Sequence, residues 1–220
     1  MNFIVISMPV KSDWVTVVFL LIFLLLGFVK YIYKDRLIEL LGLFFNKRYF
    51  LSYGKEGKLI FNGFNAFLFL IQMLIMSLFT FLLIQFYFVE MVDDHGLFLF
   101  LKIVFGILSF FLIRYLIGFL LALLFETNKS HKEIVFSKIS YLFAITIIIL
   151  PLLLLAYYVK NYNLVLFQLV SLLFGALLIV RYMFVLKNNK RVALSRLFYF
   201  MLYLCALEIA PILLVFKIIM

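Results

Sequence analysis

Two ionisable side chains stand inside long apolar runs, Arg114 and Glu208. A charge in lipid is costly, so it usually has a partner or a task. Each lies eleven residues from the same-side end of its run, about 16–17 Å deep at 1.5 Å per residue. A guanidinium and a carboxylate at one depth form a bidentate pair and shield each other from lipid. Such a pair can act as a static clamp between helices or as a gate or proton-coupled site. The clamp is the better reading, because only one such pair is evident and proton relays usually need several acids.

Proline adds to the polarity around Glu208. Pro211, three residues beyond the acid, frees the Leu207 carbonyl, and Pro151 does the same to the Ile147 carbonyl in an earlier run, so a kink is expected at each. The single cysteine, Cys205, sits one turn before Glu208 and reads as a small apolar filler, since no histidine is placed to activate it. One cysteine excludes an internal disulfide and a thiolate metal cluster. His95 and His131 fall in separate loops assigned to opposite faces, against a bis-histidine haem or a histidine-rich metal centre. Nucleophile-elbow, phosphate-loop and zincin motifs do not occur. No catalytic residue, metal or cofactor is therefore expected.

Arg181 and Lys102 stand near the ends of apolar runs and are expected to snorkel outward as anchors. The stretch FNKRYFLSYGKEGK (45–58) interleaves Lys47, Arg48 and Lys55 with Tyr49 and Tyr53. That mixture suits anionic lipid or a docking partner, the lipid surface being the simpler reading. The acidic EMVDDHG (90–96) lacks a fixed ligand spacing and reads as a solvated loop.

These residues need helices to hold them in a membrane. The 220-residue chain is 68% hydrophobic and 14% charged, against about half and about a quarter in soluble domains. A net charge of +10 would suit nucleic acid, but the cations lie in connections between apolar runs, so no nucleic-acid partner is expected. Six transmembrane spans are expected, at about 14–33, 64–89, 97–125, 140–159, 164–186 and 197–216. The third is long, about 43 Å as one helix, and no proline breaks it, so it reads as one tilted helix. Between the first two spans, LIELLGLFF with charged flanks reads as an interfacial helix over about 35–46. Trp14, Tyr31 and Tyr33 read as interfacial anchors of the first span. Gln72, Ser77, Thr80 and Gln85 in the second are expected to hydrogen-bond across helices.

Loop charge sets the orientation. The first connection carries Lys34, Arg36, Lys47, Arg48, Lys55 and Lys58; the third Lys129, Lys132 and Lys138; the fifth Lys187, Lys190, Arg191 and Arg196. The second has no Lys or Arg, and the fourth only Lys160. The odd-numbered connections are thus expected in the cytoplasm and both termini in the periplasm. Residues 1–14 lack a basic leader and a small-residue cleavage site, so no cleaved signal peptide is expected.

FNKRYFLSYG, RYLIGFLLALLFE, ILPLLLLAYY and LYLCALEIAPILLVFK resemble an integral-membrane family of Bacteroidota that is catalogued only as a domain of unknown function. The resemblance runs from about residue 34 to 217, and LYLC-LE-P near the end is its most specific part. It implies the inner membrane of a Gram-negative bacterium and brings no activity with it.

The expected fold is an all-α bundle of about six transmembrane helices plus the interfacial helix, one membrane domain over 1–220. The expected function is a non-enzymatic inner-membrane subunit or scaffold in an envelope process, with the lipid bilayer and a membrane protein as partners. A small transporter or channel with a midplane Arg114/Glu208 site is the alternative, and a membrane-embedded enzyme the third. The sequence sets no oligomeric state.

Overall fold

In hydrocarbon every backbone N–H and C=O must be satisfied within its own segment, so apolar runs of this length form helices. A computed structural model describes residues 13–44, 63–87, 96–124, 128–159 and 163–188, and they are all-helical. The order is α1 (Asp13–Ile32), α2 (Lys34–Leu41) with a 3₁₀ turn (Gly42–Phe44), α3 (Gly63–Tyr87), α4 (Gly96–Leu124), α5 (Asn128–Tyr158) and α6 (Asn163–Asn188). Five of these helices are long and apolar enough to cross a bilayer, which makes this a multi-pass membrane protein. The sixth expected span, 197–216, lies outside the described residues, as do Glu208, Pro211, Lys47, Arg48, Tyr49, Tyr53 and Lys55.

The helices share the interior unequally. In α3 and α5, 56% and 61% of the apolar window is buried, against 22% in α1, 17% in α6 and 6% in α4. The core is therefore an α3/α5 pair, with α1, α4 and α6 packed around it. The α3 side contributes Phe64, Leu68, Ile71, Ile75, Leu78 and Leu82, and α5 meets it with Phe143, Ile145, Ile149 and Leu153. Ring contacts fix the register of the antiparallel neighbours. Phe81 meets Phe100 at 6.4 Å and Phe69 meets Phe111 at 6.0 Å across α3 and α4. Phe28 meets Phe67 at 5.3 Å and Tyr33 meets Phe64 at 5.4 Å across α1 and α3.

Several expectations change on contact with this packing. The 126–138 connection is largely helix: α5 begins at Asn128, about 18 Å ahead of residue 140. Hydropathy marks where a helix can stay in lipid, not where it starts, and ETNKSHKEIVFSK contains no proline or glycine to stop one. α5 continues through Pro151, whose ring is exposed. At the start of α1, Trp14 clusters with Phe81 and Phe100, at 4.9 and 5.2 Å, joining α1 to α3 and α4. Ser77 and Thr80 donate back to the Met73 and Met76 carbonyls of their own helix, at 2.8 and 2.9 Å. That i−4 bond satisfies a hydroxyl without any neighbour. A hydroxyl bond between helices is found elsewhere: Tyr158 Oη donates to Thr16 Oγ1 at 2.7 Å, joining α5 to α1.

Candidate functional site

The chemistry-bearing side chains gather at one end of the bundle, where α1 stops and α2 begins. α2 turns its two faces to different surroundings. Arg36, Leu37 and Leu40 are buried against the bundle, while Ile38 and Leu41 remain exposed. The Arg36 guanidinium lies over the Phe64 ring, 4.8 Å from its centroid. α2 also packs on α5, which explains why Val135, Phe136, Ser137 and Lys138 are buried although they precede the expected span.

Arg181 departs from the snorkelling expectation. It is only 6% exposed, and its Nε donates to the Lys138 main-chain oxygen at 3.1 Å, tying α6 to α5. One turn along, the Tyr141 and Phe184 rings stack at 5.8 Å and close the same seam. Lys138, counted from sequence among loop cations, is itself 5% exposed. Three cationic residues, Arg36, Lys138 and Arg181, are thus buried at one end, with Asn65, Ser137 and Ser140 among the buried polar residues there. Glu39 adds a carboxylate on α2, half-buried with its Oε2 shielded. Sequence reasoning counted Arg36 and Lys138 for orientation, read Arg181 as an anchor, and overlooked the burial of all three. The signal available was spacing: Arg36 and Glu39 share a face of α2 with Leu40, at i, i+3 and i+4.

Arg114 is half-buried on α4. The Phe69–Phe111 contact places it level with Ala66, three residues or about 4.5 Å inside the start of α3. α4 runs past the α3 terminus at this end, so depth counted along α4 and level against α3 are different measures. Register therefore brings Arg114 toward the basic end, while Glu208 lies outside the described residues. Lys102 is exposed near the opposite end, with its Nζ 4.6 Å from the Phe98 ring centroid.

The family model of DUF4271, a domain of unknown function, matches residues 15–219. The chain belongs to the DUF4271 family. No curated protein and no solved structure matches it. The DUF4271 match spans every described transmembrane helix and the basic end alike. Among the described residues, no group of three or more His, Cys, Asp or Glu side chains is placed to hold a metal.

Proposed function

We propose that this DUF4271 protein is a non-enzymatic subunit or scaffold in the inner membrane of a bacterial envelope. In this reading α2 and the basic end face the cytoplasm and both termini face outward. The observation that carries it is α4. Only 6% of its apolar window is buried by the described bundle, yet it holds a half-buried arginine inside that window. Phe105, Leu112, Ile113 and Leu116 stand exposed along it. A helix with an intramembrane cation and a broad uncovered surface suits a subunit that completes its packing against another membrane protein.

Photo-crosslinking in cells from position 113 tests this reading. One reproducible protein adduct from Ile113, absent from the equally apolar position Leu172 on α6, supports the subunit role. Lipid adducts alone at both positions would remove it.

The second reading is a small transporter or channel, and Gln72 favours it. Its side chain is 1% exposed inside α3, and its Oε1 accepts no hydrogen bond among the described residues. A water-filled path would supply that bond. Labelling of Gln72→Cys by a membrane-impermeant thiol reagent, in a Cys205→Ala background, would move the conclusion toward transport.

A further inference from the structure

We infer that a water-filled inlet enters between α3 and α6 from the basic end and stops at Gln72, which rests on the transporter reading of that residue and adds the side of entry and the seal. Spacing is the first ground. Asn65, Gln72, Phe79 and Phe86 recur every seven residues along one face of α3. Phe86 stacks on Phe167 at 4.6 Å, and Phe79 lies 4.9 Å from Phe174. The two α6 partners are also seven residues apart and run the other way, so one further heptad sets Gln72 level with Arg181. The seam is therefore aromatic toward one end and polar toward the basic end, where Asn65 is buried on the same stripe.

The unmet acceptor is the second ground. Gln72 is 1% exposed and its Oε1 accepts no hydrogen bond among the described residues, whereas buried polar atoms ordinarily have a partner. Arg181, at the same level, donates its Nε to the Lys138 main-chain oxygen. Its charge disfavours a bound cation beside Gln72, while water is neutral and donates to a carboxamide oxygen. Distance sets the side of entry. The basic end is four residues from Arg181 along α6, at Val185, and nine from Gln72 along α3, at Gly63, about 6 and 14 Å. The other way, fifteen residues separate Gln72 from Tyr87, about 22 Å, and the Phe79–Phe174 and Phe86–Phe167 rings stand in that length of the seam. Apolar constrictions of this kind exclude water, so the rings seal the inlet.

The test is cysteine labelling in a Cys205→Ala background, with a membrane-impermeant thiol reagent applied to each face of sealed membranes. Lys34→Cys and Asp13→Cys, exposed at the two ends, identify the faces. Asn65→Cys and Gln72→Cys are expected to label from the Lys34 face only. Gln72→Cys is expected to label from both faces once Phe79→Ala and Phe174→Ala are added. Labelling of Gln72→Cys from the Asp13 face alone would overturn the inlet and leave the transporter reading standing. Labelling from neither face would overturn both. Labelling from both faces before the alanine changes, or no gain after them in folded protein, would overturn the seal. Gln72→Leu reads the water without a label and should lower Tm by about 2–4 °C, the loss of one hydrogen bond. An unchanged or raised Tm would mean that the oxygen is dry and would overturn the inlet, because removing an unmet acceptor is neutral or stabilising. Should the alanine pair fail to fold, the sided labelling of Gln72→Cys and the Tm of Gln72→Leu decide.

Discussion

Arg181 Nε on α6 lies 3.1 Å from the main-chain oxygen of Lys138 on α5. One side chain thereby uses a backbone acceptor of its neighbour near the edge of the apolar slab. A hydrogen bond from a charged group contributes about 1.5–3 kcal/mol. Arg181→Gln is accordingly expected to lower Tm in detergent by roughly 3–12 °C, at about 2–4 °C per kcal/mol for a chain of this size. Arg181→Lys should recover only part, because an ammonium lacks the planar fork. An unchanged Tm for Arg181→Gln would mean that the side chain points outward, as snorkelling would have it.

The helical, membrane-spanning character was legible because hydropathy reports directly on what can remain in lipid. The inward faces were not. α4 is apolar on every side, so its sequence has no periodicity from which to tell that α3 covers one strip and the described bundle leaves the rest open. Arg181 shows a different limit. An arginine four residues inside a span fits both a snorkelling anchor and a buried donor, and only the presence of the Lys138 carbonyl decides between them. Level relative to a neighbour is a third kind of information: counting residues along α4 cannot say which α3 residue Arg114 stands beside, and the Phe69–Phe111 contact supplies it.

The inward face of α6 is set by Phe167, which stacks on Phe86 at 4.6 Å and tilts against Phe79 at 5.8 Å. Phe167→Ala removes a side chain that is 1% exposed, and truncations of this kind cost about 3–5 kcal/mol. Leu172→Ala, at a position 71% exposed, should stay within about 0.5 kcal/mol. Comparable losses at both positions would mean that the outer surface of α6 is covered as well.

Tyr158 and Thr16 join α5 to α1 near the end opposite the basic residues. Hydrogen bonds between transmembrane helices average about 0.6 kcal/mol in double-mutant cycles, with a maximum near 1.7. The Tyr158→Phe and Thr16→Val pair should show coupling of that size in chemical denaturation. Strictly additive losses would assign the 2.7 Å contact no energetic role.

Orientation follows from the unequal loop charge. A reporter inserted near Asn188 should be active in the cytoplasm, and one fused after Met220 outside it. The reverse pattern at both sites would turn the bundle over and move the basic end to the outer face. Activity on the same side at both sites would mean an even number of crossings between Asn188 and Met220 and would remove the expected single sixth span.

The Arg114–Glu208 pair is the strongest test of how the bundle is completed. The register sets a condition on it: Glu208 must stand level with Ala66, near the basic end, to meet a guanidinium placed one turn beyond Phe111. The cost of an uncompensated arginine at a membrane centre runs from about 2.5–3.5 kcal/mol on insertion scales to about 10–17 kcal/mol in simulations; a residue nearer the head groups incurs less. If the pair forms, Glu208→Gln and Arg114→Gln should each lower thermal stability in detergent. The double variant should recover part of the loss, because breaking one side of a buried pair is worse than removing both. Independent, additive losses would mean that the two charges do not meet. Recovered stability with lost cellular function would instead move the pair from a clamp to a working site, and with it the protein from a scaffold toward a transporter.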